Sequence, residues 1–175
     1  MGMPDHEWDG IIGLAMPRVA IHGPPIFTKL SAAGVEPVFT FVPDMEAAPA
    51  QLRLGADGFR GFAAPDSLAW SHSSSDTFWV LDAHVGVAGR MPRQLLIDTG
   101  TSLLLMPPKD LEAVARALAP GSLGSRCLLD DRPAIVFCAC RDVPRMRPLR
   151  LFLGGHSFSL SPEELFEPAG VPLGA

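Results

Sequence analysis

The sequence predicts a mainly β protein with a few short helices. Its 175 residues include 18 prolines and 17 glycines spread along the chain, which leave room only for short elements. The segments between them are rich in Val, Leu, Phe and Trp, a composition typical of strands bounded by turns. Hydrophobic residues make up 47% of the chain and charged residues 19%, so one ordinary domain with a buried core is expected.

Strands are predicted wherever short apolar segments lie between turn residues. In chain order they are 38–42, 52–54, 78–87, 134–137 and 149–153. Two further apolar runs, 95–97 and 103–106, surround Asp98 and are predicted to be buried strands.

Three short helices are predicted between the strands. The first, 25–33, begins at a proline and is followed by a glycine. Glycine is common at the position just beyond the end of a helix. The second, 109–119, places three apolar residues on one stripe that can face a core. The third begins at Ser161, with proline at the first helical position and glutamate at the third, which is a capping box.

Charge and hydropathy exclude several classes of partner. The formal charge of −5 argues against a nucleic-acid surface. The arginines are scattered apart from one group between Arg141 and Arg150, for which composition favours a solvated loop over a binding patch. No apolar run approaches the roughly 18–20 residues of a membrane-spanning helix, so no membrane partner is expected. Residues 1–7 lack the apolar core of a signal peptide.

Three cysteines, Cys127, Cys138 and Cys140, form an odd set. No histidine lies nearby at metal-ligand spacing, so the sequence predicts neither a zinc site nor any other metal or cofactor. A disulfide from Cys127 to one of the other two would leave one thiol free. Three reduced, small core residues are an equally good interpretation.

The feature that carries chemistry is Asp98, followed by Thr99, Gly100, Thr101 and Ser102. The glycine permits a tight turn, and the three hydroxyls can satisfy the carboxylate and the turn backbone. Because apolar runs lie on both sides, the carboxylate is expected to be poorly solvated, which is costly unless it is hydrogen-bonded. The alternative is an Asx-turn in which Asp98 only caps its own loop.

The run Leu96-Ile97-Asp98-Thr99-Gly100-Thr101-Ser102 resembles the second active-site motif of the pepsin and cathepsin D family of aspartic peptidases. Other segments similar to that family follow in family order along nearly the whole chain. They are 9–15, 25–41, 54–57, 67–70, 78–79, 135–137 and 154–163. The resemblance implies a pepsin-like acid-protease fold, an incomplete double-lobed β-barrel. Residues 1–44 would be the distal part of the N-terminal lobe, and 45–175 the C-terminal lobe without its final strands.

The resemblance also implies an activity, that of an aspartic endopeptidase. Two aspartates, one from each lobe, hold a water molecule and share a proton because two close carboxylates cannot both ionise. One carboxylate activates the water and the other donates a proton to the peptide carbonyl. Asp98 is implied as the second of this catalytic pair.

Five further residues are implied as substrate-binding or orienting groups. They are Thr99, Gly100, Thr101, Ser102 and Trp8. The two threonines would orient the carboxylate, and the glycine would let the substrate approach. Trp8 matches an apolar position that lines the substrate pocket, and a core aromatic residue is an equally good interpretation of it.

The sequence departs from the family pattern in ways that bear on activity. It contains no second Asp-Thr-Gly or Asp-Ser-Gly and no tyrosine, so the first catalytic aspartate and the flap are missing. Cys127 lies near a family disulfide position whose usual partner lies beyond residue 175, and 138–148 is an insertion where the family has a tight hairpin. We therefore expect no peptide cleavage by these residues alone.

Three hypotheses follow for the function of the chain. The first is an aspartic endopeptidase that acts on peptides or proteins once a complementary lobe supplies the other aspartate. The second is a non-catalytic lobe that binds peptides or proteins, and the third is a homodimer with two copies of Asp98, as in retroviral peptidases. The family also implies the secretory pathway, with the vacuole, lysosome or cell exterior as its destination.

Overall fold

The computed structural model describes residues 10–43, 49–59, 68–87, 89–119, 121, 127–130 and 135–168. Within these residues the elements are mostly strands. The strands are β1 Phe39–Val42, β2 Gln51–Leu54, β3 Val80–Gly86, β4 Met91–Leu96, β5 Cys127–Asp130, β6 Ile135–Cys138, β7 Leu149–Leu153 and β8 His156–Leu160. The helices are α1 Ile26–Ala32, α2 Pro108–Leu118 and α3 Pro162–Leu165, with 3-10 segments at Pro17–Val19, Ala56–Phe59 and Cys140–Arg145. The prediction of a mainly β protein with short helices is confirmed.

The chain divides into two compact units. The first comprises Met1–Leu68 and Ser75–Trp79, and the second comprises Ala69–Ser74 and Val80–Ala175. The predicted lobe boundary after residue 44 lies between β1 and β2, which pair with each other in the first unit. The assignment of residues to lobes stays a prediction.

The first unit is organised around the antiparallel pair β1–β2 and an aromatic cluster. Phe27 of α1 stacks on Phe39 of β1 at 5.2 Å between ring centroids, and Trp79 meets Phe39 edge-on at 5.5 Å. The indole N–H of Trp79 donates to the carbonyl of Leu14 at 2.8 Å. Offset and edge-to-face ring pairs stabilise beyond the area they bury, so this cluster holds α1 against the strand pair.

The second unit contains a four-stranded antiparallel sheet in the order β4-β3-β7-β8. Because side chains alternate along a strand, Val85 of β3 and Leu149 of β7 lie on the face that α2 covers. They form the core with Val114 and Leu118 of α2, and Leu149 is only 1% exposed. Two of the three residues of the predicted apolar stripe of α2 therefore lie in the core, and the third, Leu111, is half-buried.

The turn between β7 and β8 fixes the register of those strands. It consists of Gly154 and Gly155, which have φ angles of +55° and +79°. Two successive positive φ angles are what a type I′ hairpin turn requires, and glycine adopts them without strain. Leu153 and His156 consequently face each other directly.

The three predicted helices and five of the predicted strands are present with small shifts of their ends. Each of the five predicted strands overlaps an observed one, and α1, α2 and α3 lie where helices are expected. The capping box is confirmed, since the Ser161 hydroxyl accepts from the Glu164 N–H at 3.3 Å and the Glu164 carboxylate accepts from the Ser161 N–H at 2.6 Å.

The prediction of a buried strand at 103–106 is wrong. These residues form no strand, and Leu103, Leu104 and Leu105 are 51%, 52% and 74% exposed. An apolar run becomes a buried strand only if another surface covers it, and the described residues do not cover this one. The run 95–97 is a strand only as far as Leu96.

Of the two interpretations of the three cysteines, the structure agrees with a disulfide that leaves one thiol free. Cys127 and Cys138 form a disulfide, and they face each other across the β5–β6 pair with their Cα atoms 4.2 Å apart. Cys140 is free and exposed. The strand register places Cys138 directly opposite Cys127, so Cys138 rather than Cys140 is the partner.

Candidate active site

Asp98 lies in the loop that joins β4 to α2. It follows the end of β4 by two residues, and the last residue pair of the β3–β4 ladder is Val80 with Leu96. The loop ends at Pro107, the N-cap residue of α2, and the helix begins at Pro108. A well-paired strand therefore holds one end of the loop, and a helix packed into the core holds the other.

An ion pair connects the two elements that flank the loop. The guanidinium of Arg93 in β4 donates to both carboxylate oxygens of Asp110 in α2, at 2.7 and 2.6 Å. This hydrogen bonding lowers the pKa of Asp110 and raises that of Arg93, so both groups stay charged. A bidentate pair fixes orientation as well as distance, and it ties β4 to the first turn of α2.

This ion pair is not predicted from the sequence. The available signal was an acidic residue in the first turn of α2 together with an arginine on the inward face of β4.

The carboxylate of Asp98 accepts hydrogen bonds on both of its oxygens. The hydroxyl of Thr101 donates to Oδ2 at 2.5 Å, and the N–H of Gly100 donates to Oδ1 at 2.9 Å. Both bonds favour the ionised form, so they lower the pKa of Asp98, with the larger effect from Thr101. The loop thus holds an ionised, oriented carboxylate.

The expectation that Asp98 is poorly solvated is wrong. Its side chain is exposed, as are Leu96 at 53% and Ile97 at 49%. Apolar neighbours in sequence desolvate a carboxylate only if they fold over it, and here they point into solvent as well. The Gly100 bond is an Asx-turn, as the alternative interpretation predicts, and the Thr101 hydroxyl adds a second donor that a simple Asx-turn lacks.

Gly100 contributes space rather than an unusual backbone conformation. It is not among the glycines with positive φ. A Cβ at this position would lie 3.2 Å from Oδ1 of Asp98, closer than most real Cβ contacts. The absence of a side chain therefore keeps one side of the carboxylate open to another molecule.

The other predicted site residues stand apart from the carboxylate. Thr99 and Ser102 are exposed, and within the described part of the chain their side chains make no hydrogen bond to Asp98. Trp8 lies outside the described residues. Among those described, no group of three or more His, Cys, Asp or Glu side chains could hold a metal ion. None of the helices described is both long and apolar enough to cross a membrane.

Known aspartyl proteases resemble this chain over most of its length. Residues 3–170 match the family described as eukaryotic aspartyl protease. The chain is 26% identical over 171 residues to cathepsin D of Clupea harengus, a match that covers 90% of this chain and 40% of that protein. It is 26% identical over 170 residues to human cathepsin D (90% of this chain, 39% of that protein) and 27% identical over 173 residues to pepsin A of Gallus gallus (88% and 41%).

The chain therefore belongs to the eukaryotic aspartyl protease family. Its mainly β architecture with short helices agrees with the pepsin-like fold of that family, so the predicted fold class is confirmed. The chain spans about two fifths of the length of the curated relatives that it matches.

Proposed function

We propose that this chain carries the second catalytic aspartate of an aspartic endopeptidase and that a complementary lobe must supply the first. The observation that supports this most is the Asp98 carboxylate, which the Thr101 hydroxyl and the Gly100 N–H hold in its ionised form. Membership of the aspartyl protease family supports peptide hydrolysis as the reaction in which that carboxylate acts.

The chemistry requires two carboxylates in different protonation states. An ionised carboxylate accepts a proton from the water molecule that attacks the peptide carbonyl, and a protonated one donates to the carbonyl oxygen. The Thr101 hydroxyl and the Gly100 N–H lower the pKa of Asp98, so this carboxylate is suited to accept the proton rather than to donate one. The 175 residues contain no second Asp-Thr-Gly or Asp-Ser-Gly, so the donor must come from elsewhere.

Exposed apolar residues on both sides of Asp98 support a second lobe that would cover the loop. Leu96 and Ile97 precede it, and Leu103, Leu104 and Leu105 follow it, each about half exposed or more. Contiguous exposed apolar residues are typical of surfaces that meet another protein surface or a substrate. A second lobe across the loop would bury them and would desolvate the carboxylate.

The test is proteolysis of an acid-denatured protein between pH 3 and 6, with and without pepstatin. We expect no pepstatin-sensitive cleavage by the 175-residue chain. We expect cleavage when the chain is joined to a complementary lobe with an Asp-Thr-Gly, and loss of that cleavage in Asp98→Asn, which keeps the shape of the side chain. Cleavage by the isolated chain that Asp98→Asn abolishes would remove the need for a second lobe. Restored cleavage that survives Asp98→Asn would contradict the role of Asp98.

A second candidate function is a lobe that binds peptides without cleaving them. The exposure of Asp98 and of Leu105, at 74%, favours it, since both are accessible without a partner. This function predicts saturable peptide binding by the isolated chain together with no turnover even in the joined protein.

The family relationship also leads us to propose the secretory route, with the vacuole, lysosome or cell exterior as its end. The Cys127–Cys138 disulfide supports this location, because disulfides persist mainly in oxidising compartments.

A further inference from the structure

Positive charge is concentrated in one segment of this acidic protein. The chain has 14 lysines and arginines against 19 acidic residues, for a formal charge of −5. Within residues 141–150, here called the arginine segment, the balance is reversed. Its four arginines are Arg141, Arg145, Arg147 and Arg150. Its single acidic residue, Asp142, is 1% exposed.

The arginine segment is fixed to the core rather than being a free loop. Asp142, Met146 and Leu149 are all buried, at 1%, 7% and 1% exposure. The backbone N–H of Arg147 donates to the carbonyl of Leu118 in α2 at 2.9 Å. Part of the segment is a 3-10 helix and its end belongs to β7, so the arginines project from an ordered backbone.

The four arginine side chains of the segment are exposed. No carboxylate in the described parts of the chain lies within ion-pair distance of them. The short acidic helix α3 packs against the 3-10 helix, but Glu164 is engaged with the N–H of Ser161, and Glu163 forms no ion pair with an arginine.

We propose that the arginine segment docks an Asp- and Glu-rich stretch of a partner polypeptide. Guanidinium groups bind carboxylates through paired, parallel hydrogen bonds, and an ordered backbone reduces the entropy lost on binding. A membrane surface is the poorer match, because membrane-binding segments combine basic residues with exposed apolar ones. In this segment Met146 and Leu149 are buried and Val143 is half-buried. Binding of an acidic stretch at this segment does not require peptide cleavage.

The test measures binding of a fluorescently labelled peptide of about ten glutamates by anisotropy, at pH 6 and low salt. Two double variants lower the net charge equally, by two. The first is Arg145→Gln/Arg147→Gln in the arginine segment. The second is Lys29→Gln/Lys109→Gln, at exposed lysines outside it. We expect the first to weaken binding by about fivefold or more and the second by less than about twofold, since exposed ion pairs contribute modestly. Thermal unfolding confirms that both variants are folded.

Solution conditions distinguish the partner chemistry. Peptide carboxylates are protonated at pH 3, whereas the sulfates of a polysaccharide such as heparin stay ionised, so we expect the glutamate peptide to dissociate at pH 3 and to bind again at pH 6. Binding should also weaken as salt rises. The proposal is overturned if the two double variants lose affinity equally. It is also overturned if the peptide does not bind while heparin or anionic vesicles do.

Discussion

The turn between β3 and β4 offers the sharpest test of the fold that positions Asp98. Gly86, the last residue of β3, is buried, and a Cβ added there would lie 1.6 Å from the carbonyl oxygen of Gly89. That oxygen would have to move by about 1.4 Å to reach the 3.0 Å below which real Cβ contacts essentially never occur. Because the obstacle is backbone rather than a flexible side chain, the turn itself must open.

We therefore expect Gly86→Ala to destabilise the protein by about 3 kcal/mol, the upper part of the range for overpacking. For a protein of this size that corresponds to a fall in Tm of roughly 6–12 °C. Circular dichroism during thermal and urea unfolding measures it. Gly89→Ala is the matched control, since an added Cβ there meets nothing within 4 Å and the residue is exposed. We expect it to change stability by less than about 0.5 kcal/mol. Equal effects of the two substitutions would refute the described turn geometry.

Three further predictions concern the site, the core and a helix end. Thr101→Val removes the donor to Oδ2, so the pKa of Asp98 rises towards its ordinary value in a carboxyl NMR titration, whereas Ser102→Ala leaves it unchanged. Since the folded-state pKa is lowered, the stabilisation from this carboxylate is present above the unfolded pKa and is lost as pH falls through the folded one. Leu149→Ala removes the most buried core side chain and should cost about 2–5 kcal/mol in urea unfolding. Ser161→Ala removes the N-cap of α3 and should cost about 0.5–2 kcal/mol by the same measurement.

Each of these predictions has an outcome that contradicts it. A pKa of Asp98 that does not respond to Thr101→Val would mean that the hydroxyl bond is absent in solution. A loss below about 1 kcal/mol for Leu149→Ala would place that side chain outside the core. No loss for Ser161→Ala would mean that the capping box does not form.

The sequence predicts features that depend on local chemistry. The apolar stripe of α2 and the capping box at Ser161 are set by residues within one or two helical turns, so pattern alone locates them. The Asp98 loop is likewise predictable, because the Thr101 hydroxyl and the Gly100 N–H that bind it lie within three residues.

Features that depend on surfaces distant in sequence are not predictable in this way. The run 103–106 has the composition of a buried strand, but burial needs a covering surface that local composition cannot reveal. Arg93 and Asp110 lie 17 residues apart in sequence, so their ion pair has no short-range signature. The choice between Cys138 and Cys140 as the partner of Cys127 depends on the register of β5 with β6, which local composition does not reveal.

The free thiol at Cys140 has a practical consequence for any study of self-association. With three cysteines and one disulfide, each molecule presents a single accessible sulfhydryl to its neighbours. In air-oxidised solution two molecules can become covalently linked through this thiol. The product would have the mass of a dimer even if the exposed leucines at 103–105 made no contact with the other molecule. Hydrodynamic measurements on Cys140→Ser therefore report only non-covalent association.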